Sequence, residues 1–274
     1  MKSVTIVGAG AVGRSIALAL FYSRTRIAGI YSESGKSAKA LAKKVRCKNF
    51  GVINERSLLS EIIIIAVPDE RIRDVAALLG KNIGSLKTKI VIHTSGALTS
   101  DELSVVRKKG AFTASLHPLQ TFSRSRTKTL LNNVWCAVEG DRKAIVAARV
   151  LVKSLKMNVF TIKKSHKALY HASAVFASNY VVTLFSVVEE ISRSINIPKK
   201  NLWKIYSPLI LQTVQNTLNS SPAEALTGPI VRGDTKTITK HIKALSIPAL
   251  RHLVMLYSVL GIETTRLVKK KNAR

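Results

Sequence analysis

Val4-Thr5-Ile6-Val7-Gly8-Ala9-Gly10-Ala11-Val12-Gly13 stands near the amino end of a 274-residue chain. A short apolar run meets the pattern G-x-G-x-x-G, and Ala11 to Tyr22 then continues with helical periodicity. In a strand–turn–helix each glycine has a mechanical task. Gly8 makes the tight turn, Gly10 admits a phosphate close to the backbone, and Gly13 lets the helix pack on the strand. The free amides and the positive end of the helix dipole then attract a dinucleotide pyrophosphate. The pattern alone is weak, and its seat inside a βαβ unit gives it weight. The expected contacts are Gly8, Gly10, Ala11, Val12 and Gly13, and the competing reading is a turn that is merely rich in glycine.

The same alternation continues downstream. RIAGIY (26–31), EIIIIAV (61–67) and KIVIHTS (89–95) read as strands, with helices over about 37–45 and 72–79 between them. A continuous apolar run such as 61–67 suits a strand buried on both faces. The β-α-β-α-β-α-β order indicates an α/β domain, a doubly wound parallel sheet with right-handed crossovers. FTASLHP, VWCAV and MNVFTI look like further strands, with a helix over 142–155. Beyond them only helical patterns remain: a long helix over 166–194 capped by Ser165, then about 202–218, 235–243 and 248–269. The expected division is a cofactor domain, 1–164, followed by an all-α domain, 165–274.

Composition narrows the partners. At 46% apolar and 22% charged, the chain can bury a core and is not disordered. Its 44 Lys+Arg against 15 Asp+Glu give a formal charge of +29, which raises nucleic acid as a partner. The basic residues are spread along the chain, without zinc-finger spacing or an aromatic RNA-binding signature, so no nucleic-acid partner is expected. The surface would instead draw in an anionic cofactor and a small anionic substrate. Two cysteines, Cys47 and Cys136, fit no metal spacing and suit a reducing compartment, so the expected setting is cytoplasmic and no metal is expected. From Ala168 to Val188 no charged residue occurs, but His171, Ser173, Ser178, Asn179, Thr183 and Ser186 are costly in lipid. A buried central helix and no membrane span are expected.

Several residues are candidates for chemistry. NAD sites usually carry an acid at the end of the second strand. Here Ser32 replaces it, while Ser34, Lys36 and Lys39 would surround a 2′-phosphate; NADP is preferred, and Glu33 keeps NAD open by a one-residue shift. Val67 and Pro68, and Ser95 and Gly96, end buried strands and should line the cofactor or substrate crevice, or else only punctuate turns. His117 follows a strand and either faces the reacting ring or is a loop residue. Lys167 and His171, four apart, share a helix face, with Asn179 two turns beyond on nearly the same side. They would supply and position the proton that a carbonyl oxygen needs as hydride reaches carbon, unless His171 and Asn179 merely tie helices together. Arg232 would clamp a carboxylate, or pair with Asp234 where that residue caps the next helix.

Taken together, the glycine pattern at Gly8, AVPD at Ala66, HTSG at His93, SLHPLQTF at Ser115, YHASAVFASN at Tyr170 and LTGPIVRGD at Leu226 resemble one family. It is a group of Rossmann-like oxidoreductases with a C-terminal helical domain of unknown function, and the similarity spans nearly the whole chain. The architecture is also similar to that of 6-phosphogluconate dehydrogenase, pyrroline-5-carboxylate reductase and ketopantoate reductase. That resemblance implies a helix carrying catalytic residues to the nicotinamide, and a homodimer through helical domains. Ketopantoate reductases carry a catalytic lysine at the start of this helix and asparagines on later turns; Lys167 and Asn179 are similar, but His171 lies between them. The combined expectation is an NADPH-dependent reductase of a small oxo acid resembling ketopantoate. The alternatives are a cyclic imine reductase, or a non-catalytic NADP-sensing or nucleic-acid-binding protein on the same fold.

Overall fold

The computed structural model describes residues 3–54, 57, 60–81, 85–122 and 131–272. By its internal contacts the chain forms two compact units, Met1–Ser178 and Asn179–Arg274.

The first unit runs β1 (Val4–Val7), α1 (Ala11–Tyr22), β2 (Ile27–Ser32), α2 (Lys36–Lys44), β3 (Phe50–Val52), β4 (Ile62–Ile65), α3 (Ile72–Lys81), β5 (Ile90–His93), α4 (Ser104–Lys108), β6 (Phe112–Pro118), β7 (Trp135–Gly140), α5 (Arg142–Ser154), β8 (Asn158–Thr161) and α6 (Lys167–Ala177). Its eight-stranded sheet has the order β3-β2-β1-β4-β5-β6-β7-β8. The first six strands are parallel, in the doubly wound order with a topological switch between β1 and β4. β7 then pairs antiparallel to β6, and β8 parallel to β7.

Strand alternation sends side chains to two cores. Val4, Ile6, Ile62, Ile64, Ile90 and Ile92 pack with α1 and α5 on one face. Val7, Ile63, Ile65 and Val91 pack with α3 and α4 on the other. Both faces of β4 are therefore apolar, which is why its sequence is an unbroken isoleucine run. Among the described residues Glu139 is the acid in this interior. It is 2% exposed, and its carboxylate accepts from the amide (2.7 Å) and hydroxyl (2.9 Å) of Ser100.

The second unit contains α7 (Asn179–Ser194), α8 (Lys199–Asn219), α9 (Pro222–Ala225), α10 (Thr235–Leu245) and α11 (His252–Asn272). Its small core gathers Leu245, Leu250 and Leu253 with Val187, Ile191 and Tyr257.

Two expectations are corrected. The single helix over 166–194 is interrupted at Ser178, whose φ of −129° and ψ of −68° leave the helical region, so four-residue spacing does not carry Lys167's face on to Asn179. The helix is not a buried central one: Leu169 and Val182 are mostly exposed. Among the described residues, 164–194 is the one helical stretch long and apolar enough to cross a membrane by length and composition. The first unit ends after α6, whose Lys167 donates to the Ser95 carbonyl in the loop after β5 and whose Tyr170 meets His117 of β6.

Glu139→Ala should strand two buried donors of Ser100 and lower stability by about 2–4 kcal/mol, read from urea unfolding; an unchanged midpoint would refute this role.

Candidate active site

The glycine turn is built as its sequence demands. Gly8 has φ +106°, and a Cβ there would lie 2.3 Å from the carbonyl oxygen of Ala66. At Gly13 a Cβ would lie 1.9 Å from the Gly8 carbonyl oxygen, so helix and strand touch backbone to backbone. A Cβ on Gly10 would meet nothing within 4 Å, leaving open space above the start of α1. That start has no side-chain cap and no acid in its first turn, so the amides of Ala11, Val12 and Gly13 remain available to an anion.

At the end of β2 the expected residues separate. Ser32 is buried and its hydroxyl accepts from the Ala38 amide at 3.2 Å, so it shapes the start of α2. Ser34, Lys36 and Lys39 are exposed beside it. Glu33 is bound by Arg71 at 3.0 Å, across a hollow of about 240 Å³ that Val67 and Pro68 also line.

The carboxyl ends of β5 and β6 hold the reacting candidates. Lys167 opens α6 yet is only 1% exposed; its ammonium donates to the Ser95 carbonyl at 2.8 Å and to the Ser115 hydroxyl. Burial pushes its pKa down to about 8, against the pull of Glu139 and Asp69. One turn later Tyr170 meets His117 Nδ1 at 2.9 Å through its hydroxyl. Burial lowers His117 to about 4, with Lys167 and His171 adding to the effect, and raises Tyr170 to about 12. His171 stacks edge-on to His117, ring centroids 5.7 Å apart, and its Nδ1 is buried with no hydrogen-bond partner among the described residues. Gly96 lies between the two rings. A Cβ there would be 2.4 Å from His171 Nδ1 and 2.9 Å from His117 Nε2, so only glycine lets the loop pass.

Ser95 is consumed locally. Its hydroxyl donates to Asp69 at 2.7 Å and accepts from the amides of Ala97 and Leu98, which fixes the loop. His93 braces the same loop as a neutral ring, accepting the Ser95 amide and bonding to the Thr99 carbonyl oxygen.

The first unit thus unites Lys167, His171, His117, Ser95 and Gly96. Asn179 and Arg232 belong to the second unit. There Asn179 is exposed at the start of α7, and Asp234 caps α10 through the Thr237 amide, 3.0 Å, and hydroxyl, 2.7 Å. Sequence reasoning missed Tyr170, Ser115, Asp69 and Arg71. Period-two alternation puts Ser115 on the face of His117, and helical spacing puts Tyr170 three residues from Lys167, so both signals were present.

Residues 1–118 match the model of the Rossmann-like domain, and residues 134–264 match that of a domain of unknown function, DUF2520. The chain is a Rossmann-like domain followed by a DUF2520 domain. No curated protein matches the sequence. Among solved structures this Rossmann–DUF2520 chain is similar to a Bacteroides fragilis protein assigned as an NADP oxidoreductase, at 21% identity and TM-score 0.80, covering 97% of this chain and 98% of that one. Protein TM1727 from Thermotoga maritima follows at 23% and 0.74, covering 98% and 99%. A reductive aminase from Aspergillus terreus in complex with NADPH shares 14% and 0.66, over 98% and 99%. At these identities the likeness establishes the fold.

The lysine makes a signed prediction. Below about pH 8 its ammonium is charged in the folded chain, and desolvation costs stability. Between about 8 and its ordinary 10.5 the folded chain releases a proton that the unfolded chain keeps, so stability rises with pH. Relative to Lys167→Met, the wild type should gain roughly 3 kcal/mol across that window in denaturant titrations; parallel pH curves would contradict the buried charge.

Proposed function

We propose that this chain is an NADP(H)-dependent reductase of a small oxo acid. The observation that carries this reading is a single edge of the sheet, the carboxyl ends of β1, β4, β5 and β6. It bears both an open anion cradle at Gly10 and a cluster of proton-bearing side chains around Gly96. In open α/β sheets ligands bind at this edge, near the switch in strand order.

The residues present fit the cofactor. The amides of Ala11, Val12 and Gly13 would hold the pyrophosphate, Val67 and Pro68 would flank the adenosine, and Ser34, Lys36 and Lys39 would meet the 2′-phosphate. When bound, the reduced nicotinamide supplies a hydride. His117 and Tyr170 manage the proton. A neutral His117 that accepts the Tyr170 hydroxyl at Nδ1 carries its hydrogen on Nε2, the atom facing Gly96. As negative charge grows on the substrate oxygen, Nε2 gives up its proton, Nδ1 takes the phenolic proton, and solvent reprotonates the half-buried Tyr170. A phenol near 12 is acidic enough to protonate an alkoxide. Lys167 stays behind the loop as a fixed positive charge that favours the developing anion.

Reduction of a cyclic imine is the second reading, favoured by the fold shared with a pyrroline-5-carboxylate reductase from Coxiella burnetii. A protonated imine, however, would be repelled by the Lys167 ammonium, whereas an oxo acid anion is attracted. The exposed apolar side chains of α7, α8 and α11 supply a surface for a homodimer.

NADPH should bind with quenched or shifted nicotinamide fluorescence, and Gly10→Val should weaken it at least about tenfold by filling the cradle. With a 2-oxo acid that is turned over, His117→Ala should lower kcat about 100-fold or more, with a smaller change in KM. Absence of NADPH binding removes the reading; turnover of cyclic imines alone replaces the substrate. Glu33→Gln should favour NADPH over NADH by about threefold, the scale of one exposed charge contact. An unchanged preference would detach Glu33 from cofactor choice.

A further inference from the structure

A second cavity, of about 780 Å³, lies at the opposite end of the sheet. Its floor is one row across three neighbouring strands: Ile62 pairs with Ile90, and Ile90 with Phe112. These are the first residues of β4, β5 and β6, so the cavity sits at the amino ends of strands whose carboxyl ends carry the candidate active site. Its wall is one flank of α5, where Val146 and Val150 remain 56% and 59% exposed beside the buried Leu151. A volume in this range, lined by aliphatic and aromatic groups with few polar ones, is the usual form of a small-molecule site.

The charges select the ligand. Both ionisable residues lining the cavity, Arg142 and Lys143, are cations. Among the described residues neither is paired with a carboxylate, and Lys143 Nζ instead lies 4.6 Å from the centroid of the Phe112 ring. The adjacent Asp141 does not neutralise them. Its carboxylate accepts from the amide (2.6 Å) and hydroxyl (3.1 Å) of Thr113 and faces Arg107. An apolar chamber with two uncompensated cations is complementary to a molecule that is apolar at one end and anionic at the other. A chamber of limited volume suits a free molecule rather than a membrane surface.

We propose that this cavity binds a free amphipathic organic anion. Its alkyl or aryl body lies on Ile62, Ile90 and Phe112, and its carboxylate is held by Arg142 and Lys143. The proposal does not depend on the cofactor reading, because none of these residues lies in the glycine cradle or the histidine cluster.

The test is isothermal titration of the full chain with decanoate below its micelle concentration, against decyltrimethylammonium as the cation of matched tail. Decanoate should bind at one site with a negative heat-capacity change, at least about tenfold tighter than the cation. The double variant Arg142→Ala/Lys143→Ala should lose about tenfold in affinity. Val146→Asp, at an exposed position that should not disturb folding, should cause a similar loss through repulsion, with thermal melting confirming a folded chain. Equal affinity for the two tails, indifference of decanoate to both variants, or binding only to anionic lipid vesicles would overturn the proposal.

Discussion

A charged lysine inside a protein has to be held by something, and in this chain what holds Lys167 also holds the site. Its described partners are neutral oxygens, the carbonyl of Ser95 and the hydroxyl of Ser115. Ser115 also donates to that carbonyl, at 3.1 Å. Three groups from the loop after β5, from β6 and from α6 therefore meet at one point. With the first residue of α6 fixed there, helical spacing brings Tyr170 and His171 toward His117 and Gly96 without further adjustment. The penalty for burying the ammonium is local, whereas its positioning effect extends to every reacting candidate in the first unit.

The same charge sets the protonation of its neighbours. His117 is neutral near pH 7 because it is buried and because Lys167 stands close by. A neutral imidazole can accept from Tyr170 on one side and donate on the other, which an imidazolium cannot. In the proposed mechanism the cluster would separate two tasks, fixed positive charge on Lys167 and a mobile proton on the Tyr170–His117 pair. Gly96 is the steric condition for both, since any side chain there would push the rings apart.

What could be read from the sequence was local. The spacing of Gly8, Gly10 and Gly13 reports backbone contacts that a Cβ would forbid, so the pattern is nearly a statement of geometry. The isoleucine run of β4 and the four-residue step from Lys167 to His171 were legible for similar reasons. Other features depend on partners distant in sequence. β3 has three half-exposed residues at the sheet edge and no strong pattern. Alternation in β7 gives its faces but not its direction, so its antiparallel pairing was invisible. The bond from Glu33 to Arg71 spans 38 positions, and that from His117 to Tyr170 spans 53. Ser95 looked like a ligand-binding serine because it ends a strand, and its capture by Asp69 and two loop amides is a tertiary fact. The interruption at Ser178 has no proline or glycine to announce it.

Hydrogen–deuterium exchange with and without NADPH reads the central claim at the backbone itself. The amides of residues 8–14 should be slowed when the cofactor is present, together with those of Val67 and residues 69–71 beside the Arg71 hollow. Unchanged exchange over 8–14 while calorimetry shows NADPH bound would contradict a pyrophosphate at the start of α1.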